Sequence, residues 1–240
     1  MGGVGNKTRE RQCRPVMFPP ECPNFRLVRA RSITRYPAEA VIVFPLEGMC
    51  VFEVEIKFRI AGITELEHRL RQFGGTGFGE AVTESDFFFQ HPCRDFVRTD
   101  ECLRLRNRSF ADGTAEHSLT YKGPKMDTST KTRREIEIFV AEPERWENLL
   151  TALGFCKLAS VQKFRRRMTL TVNHRHVDVL FDTLPALPES DRYFVEMETL
   201  STEADVEECR TLILGFAEQL GLGEPIRDSY LKLVQGYGEC

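Results

Sequence analysis

The sequence predicts an α+β chain built on an eight-stranded antiparallel β-barrel. The barrel is expected to close around a charged tunnel, with a few helices on the outside. Two observations support this prediction: nearly every predicted strand carries charge at alternate positions, and few helices are present to cover about eight strands. A closed barrel turns its apolar face outward to the helices and its charged face inward. A water-filled lumen then avoids the cost of burying unpaired charges in a dry core.

The strands are predicted by a period of two. Between residues 52 and 60, apolar side chains alternate with Glu53, Glu55, Lys57 and Arg59, which is typical of a half-buried strand. The further predicted strands lie at about residues 80–90, 102–109, 116–122, 133–141, 155–172, 176–182 and 192–200.

Three helices are each predicted by an apolar stripe that ends at a glycine. They run from Thr64 to Gly74, from Pro143 to Gly154 and from Val206 to Gly221, with a last helical turn from Tyr230 to Val234. Thr64 and Glu67 have the spacing of a capping box, which would satisfy free N–H groups at the start of the first helix. Pro143 suits the first turn of the second helix because its missing N–H is not needed there.

The first 49 residues differ from the rest of the chain. They carry eight Lys/Arg against four Asp/Glu, are rich in Arg, Pro and Gly, and show no sustained period. We predict that residues 1–49 are a basic, disordered arm or a mis-called upstream extension, and that residues 50–240 form the folded domain.

Composition limits the partners and the compartment that we expect. The net charge of −3 disfavours a surface that coats nucleic acid, and the apolar runs are too short to cross a bilayer. The N-terminus lacks the apolar region of a secretory signal, and none of the eight cysteines shows C-x-x-C spacing. We therefore expect a cytoplasmic protein with free thiols, no nucleic-acid partner and no membrane, with a homodimer left open.

The charged strand faces indicate a ligand class. Carboxylates hold Mg²⁺ or Mn²⁺ through oxygen, whereas Arg and Lys bind phosphate oxygens, so a lumen with both suits a triphosphate carrying metal. The acidic sets are Glu53/Glu55, Glu135/Glu137, Asp178/Asp182 and Glu196/Glu198, and the basic sets are Lys57/Arg59, Arg104/Arg106, Lys122 and Lys163/Arg165/Arg167. The plainer alternative for any single strand is a solvated outer face.

A series of motifs resembles one family in order. Glu53-Val-Glu55-Ile-Lys57 is similar to the E-x-E-x-K signature of the CYTH family, which is named for class IV adenylyl cyclase and thiamine triphosphatase and also called triphosphate tunnel metalloenzymes. The later matching segments are Ser85–Phe89, Leu103–Arg106, Leu119–Pro124, Arg133–Glu137, Gly154–Phe155, Val161–Arg165, Phe181–Asp182 and Val195–Glu198. The resemblance covers about residues 51–236.

This resemblance implies an eight-stranded tunnel and a divalent-metal-dependent attack on a triphosphate. It implies metal ligation by Glu53, Glu55, Asp182, Glu196 and Glu198, with Glu135 or Glu137 assisting. It implies substrate binding by Lys57, Arg104, Arg106, Lys122, Arg133, Lys163 and Arg165, and catalysis by Glu53, Glu55, Lys57, Lys122 and Arg165.

Two reactions compete within the family. A class IV adenylyl cyclase converts ATP to cyclic AMP and pyrophosphate, and Lys122-Gly-Pro, Gly154-Phe155 and Ser229-Tyr230 resemble this subgroup. The alternative is hydrolysis of inorganic tripolyphosphate, thiamine triphosphate or a nucleoside triphosphate. A third hypothesis, from another class, is a non-catalytic polyphosphate- or nucleotide-binding module, which would need the basic set alone.

Two further features bear on the tunnel. Glu84 stands where members considered cyclases often have Gln, and Phe88 stands where they often have Tyr. Residues 123–132 have the composition of a flexible loop, and we predict that this loop orders over bound substrate.

Overall fold

The computed structural model describes residues 52–75, 77–126 and 130–238. The predicted N-terminal arm, residues 1–49, lies outside this part of the chain, so its nature stays a prediction.

Eight antiparallel strands close into one barrel, which confirms the predicted fold class. The strands are β1 (Phe52–Arg59), β2 (Val82–Gln90), β3 (Cys102–Ser109), β4 (Ala115–Lys122), β5 (Arg133–Phe139), β6 (Cys156–Val172), β7 (Arg175–Thr183) and β8 (Tyr193–Ser201). Around the barrel their order is β1-β5-β4-β3-β2-β6-β7-β8. The seam between β1 and β5 is short: in the part of the chain that the structure describes, only Phe52 and Glu53 have register partners there, Arg134 and Arg133.

Four helices flank these strands in the described residues. They are α1 (Thr64–Gln72), α2 (Pro143–Ala152), α3 (Val206–Gln219) and α4 (Tyr230–Gly238). None of them combines the length and the hydrophobicity needed to cross a membrane. The last is longer than the single turn predicted, since it continues beyond Val234.

The predicted capping box on α1 is wrong. Ile63, not Thr64, is the N-cap residue, and no side chain caps the first turn. Thr64 therefore already lies inside the helix, where its hydroxyl cannot take the N-cap role. The predicted end of α1 is confirmed, because Gly74 adopts φ +88° and the Gly75 N–H bonds the Leu70 carbonyl at 3.1 Å.

The main core lies outside the barrel wall, between the strands and helices α1 and α3. Val54, Ile56, Val179 and Met197 point outward from the strands and are completely or almost completely buried there, in the same cluster as Ile213 of α3. A smaller cluster of Phe89, Leu105 and Leu150 lies under α2. Burial of these faces beneath helices stabilises the wall and leaves the opposite face for polar side chains.

The outer face of β5 departs from the prediction. Ile136 and Ile138 were expected to face helices, but each is 45% exposed. They alternate with Glu135 and Glu137 as predicted, yet no described helix covers them.

One end of the barrel interior is apolar. Val161, Leu184, Leu187 and Phe194 pack together with Tyr230, the first residue of α4. The Tyr230 and Phe194 rings meet edge to face at 5.3 Å between centroids. Helix α4 therefore places an aromatic side chain into this end of the tunnel.

Candidate active site

Strands β1 and β8 bring the two acidic pairs together. In their antiparallel register Glu55 lies opposite Glu198, and Lys57 lies opposite Glu196. Because side chains alternate along a strand, these four residues share the inner face of the barrel. Lys57 pairs with Glu196, with 3.1 Å between Nζ and Oε1.

Glu198 is the carboxylate that lacks a partner. Within the described part of the chain it receives no hydrogen bond and forms no ion pair. Burial raises its pKa well above the ordinary value, and the nearby charges of Glu53 and Glu55 raise it further. The pKa of Glu53 is also raised, by burial and by the charge of Glu135, against the opposing effect of Lys122. Positive charge is therefore favoured between these carboxylates.

The chemistry of these side chains fits a hard divalent cation, which takes oxygen ligands from carboxylates. Their present arrangement is nonetheless not a finished cage. In residues 52–75, 77–126 and 130–238, no three His, Cys, Asp or Glu side chains are grouped as a metal site. Glu55 and Glu196 instead bind cations of the protein itself. A metal ion would have to replace some of these contacts.

Asp182 of β7 binds cations of β6, and one of these cations also contacts Glu196. Arg165 donates two hydrogen bonds to Asp182, at 2.7 and 2.5 Å, and a third to Glu196 at 2.5 Å. Burial would lower the pKa of Arg165, but these carboxylates raise it well above its usual value. Lys163 lies 3.5 Å from Asp182. Asp182 is thus held by two cations of β6 before any ligand is present.

Glu84 forms a centre that sequence reasoning did not assign. Its side chain is 0% exposed, and the cations around it are Arg106 at 3.0 Å, Lys163 at 3.2 Å, Arg108 at 2.7 Å and Arg165 at 3.8 Å. Burial acts to raise the pKa of Glu84, but Lys163 and the arginines hold it well below its usual value. Glu84 therefore neutralises part of the cation cluster and fixes the positions of the cations. The sequence signal for this residue was its place in the family pattern, where members considered cyclases often have Gln.

Asp86 binds two arginines of β3, Arg106 and Arg104. It accepts two hydrogen bonds from Arg106, at 2.6 and 2.8 Å, and lies 3.5 Å from Arg104. Burial would raise the pKa of Asp86, whereas Arg106 and Arg104 lower it well below its usual value.

Arg104, Lys122 and Arg133 form a wall of cations on β3, β4 and β5. In the strand register Cys102, two residues from Arg104, lies opposite Lys122. Lys122 also lies opposite Glu135, two residues from Arg133. Burial raises the pKa of the Cys102 thiol, and these three positive charges oppose that effect. Lys122 contacts Glu53 and, at 2.8 Å, Glu135.

The other two cations of this wall have unused donors. The Nε of Arg104 is buried and has no hydrogen-bond acceptor, and the Arg133 side chain forms no ion pair or hydrogen bond within the described residues. A buried donor without an acceptor is costly, so an anion bound here would be favoured.

Tyr230 lies at the apolar end of the barrel interior and contacts the charged residues there. Its hydroxyl donates a hydrogen bond to Asp182 at 2.7 Å, and its ring lies 3.5 Å from the Lys57 ammonium. Burial, together with the neighbouring charge of Lys131, lowers the pKa of Lys57 to about 7.

The predicted site residues come together on the inner face of the barrel. Glu53, Glu55, Lys57, Lys122, Arg165, Arg104, Arg106, Lys163, Asp182, Glu196 and Glu198 form one network of ion pairs and close charges, and Arg133 adjoins it. Arg167 and Asp178 pair with each other farther out, where Arg167 is largely exposed. The roles predicted for these residues stay predictions.

The prediction of a flexible loop at residues 123–132 is wrong for its last part. Thr130, Lys131 and Thr132 are buried, and the Lys131 backbone N–H bonds the Glu55 carbonyl at 2.9 Å. The Lys131 ammonium donates to the Glu55 carboxylate at 2.7 Å. Loop composition concealed this residue, because its partner lies 76 positions away in the sequence. Residues 127–129 lie outside the described part of the chain.

The fold and the interior together define a charged β-barrel tunnel. Comparison with known families agrees with the sequence motifs: a CYTH domain matches residues 52–230. The chain belongs to the CYTH family.

Individual relatives extend this comparison. A Pyrococcus horikoshii protein of known structure is 34% identical, with a TM-score of 0.65 over 77% of this chain and 99% of that protein. A Methanocaldococcus jannaschii protein named "putative adenylate cyclase" is 35% identical over 115 residues, which are 48% of this chain and 62% of that relative. A Hippeastrum adenylyl cyclase homologue, described as having a dominant triphosphatase activity, shares the fold at 16% identity with a TM-score of 0.52 over 77% of this chain and 96% of that protein.

Proposed function

We propose that this protein is a divalent-metal-dependent enzyme that acts on a linear triphosphate inside the tunnel. The observation that carries the proposal is a pair of cations with unused donors, the buried Nε of Arg104 and the guanidinium of Arg133, on the same wall as Lys122. Such donors suit phosphate oxygens. The acidic residues of β1 and β8, which share the same lumen, supply the second requirement of the reaction.

The metal would be held by carboxylates. Glu53, Glu55 and Glu198 are the first candidates for metal ligands, because their negative charges lie close together and a cation would relieve the repulsion. Glu196 and Asp182 are the further candidates. When bound, Mg²⁺ or Mn²⁺ supplies charge neutralisation at the phosphate oxygens and orientation of the reacting groups.

The protein's own residues would bind and orient the substrate. Arg104, Arg106, Lys122, Arg133, Lys163 and Arg165 surround the lumen with positive charge. Glu84 and Asp86 hold Arg106 in place before substrate arrives, so little reorganisation would be needed on binding.

Our first candidate reaction is the cyclase reaction, in which the 3′-hydroxyl of ATP attacks the α-phosphate. Membership of the CYTH family and the name of the Methanocaldococcus jannaschii relative support it. The match spans less than two thirds of that relative, and its activity is carried over here only as part of the proposal.

Hydrolysis of inorganic tripolyphosphate is the second candidate. One observation favours it: the apolar side chains at one end of the lumen already pack against Tyr230. They therefore offer little free surface to a nucleobase, which tripolyphosphate does not have. The triphosphatase activity described for the Hippeastrum protein indicates that the shared fold is compatible with this chemistry.

A phosphorus NMR time course of the full chain separates these candidates. ATP and tripolyphosphate are supplied in separate tubes with Mg²⁺ or Mn²⁺. Cyclic AMP and pyrophosphate from ATP would support the cyclase reaction, whereas orthophosphate from tripolyphosphate with ATP left intact would support the hydrolase. Loss of neither substrate, with both still bound, would leave only a binding module and refute the enzyme proposal.

A matched pair of variants tests the assigned carboxylate. Glu55→Gln should abolish turnover, because a buried β1 carboxylate is lost, and leave the circular dichroism spectrum unchanged. Glu65→Gln, on the exposed surface of α1, is the control and should keep full activity. Full activity in Glu55→Gln would exclude Glu55 as a ligand of the metal.

A further inference from the structure

Lys131 contacts two of the carboxylates that are proposed to hold the metal, Glu55 and Glu196. Its ammonium lies 2.7 Å from Oε1 of Glu55 and 3.8 Å from Oε1 of Glu196, and its side chain is only 5% exposed. Lys131 is therefore a single positive charge set between two buried carboxylates of β1 and β8.

The backbone holds this lysine in place. The Lys131 N–H bonds the Glu55 carbonyl at 2.9 Å, so residues 130–132 extend along β1 beyond its short pairing with β5. Thr130 and Thr132 flank it, with their hydroxyl oxygens 2.6 Å apart, and the Thr132 carbonyl accepts the Met126 N–H at 2.8 Å. The contact is thus built into the chain rather than made by a long side chain on the surface.

The ammonium and a metal ion would compete for the Glu55 carboxylate in this arrangement. A divalent ion binds carboxylate oxygens at roughly 2.0–2.6 Å, and the ammonium already takes one of these oxygens at hydrogen-bond distance. The two cations would repel each other across a short gap in a buried site, where screening by water is weak. Lys57, which contacts the same Oε1 of Glu196, adds to this repulsion.

We propose that Lys131 is a tethered competitor of the divalent metal: its ammonium holds Glu55 and Glu196 in the metal-free protein and leaves this position when the metal binds. This inference rests on the proposed metal-dependent function. It explains why the acidic residues fit a metal chemically and yet form no ready-made cage in the described residues.

Manganese binding in the absence of substrate tests the competition. Free Mn²⁺ is followed by electron paramagnetic resonance as it is titrated into the full-length protein. Lys131→Met removes the ammonium and keeps the chain length, so we expect Mn²⁺ to bind at least about tenfold more tightly than to the unaltered protein. Lys131→Arg keeps the positive charge and should stay within about threefold.

Lys125→Met is the matched control. Lys125 belongs to the same connection between β4 and β5 but pairs with Asp100, away from the acidic residues. Its substitution should leave the affinity for Mn²⁺ unchanged. Equal affinities in Lys131→Met, Lys125→Met and the unaltered protein would overturn the inference.

Chemical labelling of the unaltered protein avoids any folding defect of the variants. Acetic anhydride labelling, read by mass spectrometry, should modify Lys131 slowly without metal and at least about fivefold faster with saturating Mg²⁺. Lys125 serves as the internal reference, with a rate that Mg²⁺ leaves unchanged. A labelling rate of Lys131 that Mg²⁺ does not raise would overturn the inference.

The outcomes separate this inference from the proposed function. If the protein binds Mn²⁺ and turns over a triphosphate while Lys131 stays protected and its removal has no effect, only the role of Lys131 is wrong. If neither the unaltered protein nor any variant binds Mn²⁺, the proposed metal-dependent function is wrong, and so is the proposed competition.

Discussion

Replacing Asp86 with asparagine tests whether the buried charge network stabilises the barrel. Asp86 accepts two hydrogen bonds from Arg106, at 2.6 and 2.8 Å, and both side chains are almost fully buried. Asparagine keeps the shape of the side chain, but it removes the negative charge and turns an amide N–H₂ toward the guanidinium. Arg106 then remains buried with less compensation.

The expected loss follows from this geometry. Removing one partner of a buried ion pair costs about 3–5 kcal/mol, because the other charge stays buried. Arg106 keeps a second contact with Glu84 at 3.0 Å, and the asparagine oxygen still accepts one hydrogen bond. We therefore expect a loss of about 2–3 kcal/mol in the free energy of unfolding, a fall in melting temperature of about 4–12 °C for a domain of this size.

The assay is urea unfolding followed by far-ultraviolet circular dichroism and by the fluorescence of Trp146, the single tryptophan. Asp178→Asn is the matched control. Asp178 also binds an arginine through two hydrogen bonds, but the Arg167 side chain is 62% exposed. A solvent-exposed pair contributes about 0–1 kcal/mol. Equal losses in the two variants would refute the argument from burial.

The pH dependence of this effect has a definite sign. The folded protein holds the pKa of Asp86 below its unfolded value of about 3.9, so the stabilisation is fully present above that value and is lost as the pH falls. The difference between the unaltered protein and Asp86→Asn should be constant from pH 8 to about 5 and shrink below about 4. A difference that grows on acidification would contradict the assignment.

Two further substitutions probe neighbouring parts of the network. Tyr230→Phe removes the hydroxyl that donates to Asp182 at 2.7 Å and keeps the ring over Lys57. Urea unfolding should show a loss of about 1.5–3 kcal/mol, and a loss below about 0.5 kcal/mol would argue against this bond. Glu198→Gln removes a carboxylate that lacks a partner among the described residues and lies near Glu53. The metal-free protein should melt at a higher temperature and bind Mn²⁺ more weakly by calorimetry, and a lower melting temperature would contradict the crowding argument.

The sequence predicted the strands and their inner faces well because the signal is local. The alternation of Glu53, Glu55 and Lys57 with apolar residues follows from the period of two in a strand, and it needs no knowledge of neighbouring strands. The glycine that ends α1 could be predicted for the same reason. The capping box at Thr64 was wrong because its pattern does not specify which residue is the N-cap.

The candidate site was predicted as a set of residue types rather than as contacts. The motifs of the CYTH resemblance identified the acidic and basic residues, and the structure brings them to one lumen. Composition could not reveal that Lys131 contacts Glu55, because this contact depends on the short seam between β1 and β5. The sequence singled out Glu84 as a departure from the family pattern but did not predict its role, because that role depends on cations of β3 and β6.

By itself, the sequence therefore determined the family, the closed antiparallel barrel and the side chains that face its interior, since each depends on local periodicity or on motif order. Only the tertiary structure decided which charges meet. Glu84 and Asp182 are held by cations of other strands, Tyr230 fills one end of the lumen, and Lys131 occupies the place between Glu55 and Glu196. The physical reason is that barrel closure sets the distances between strands, and in a buried site those distances determine which ion pairs form.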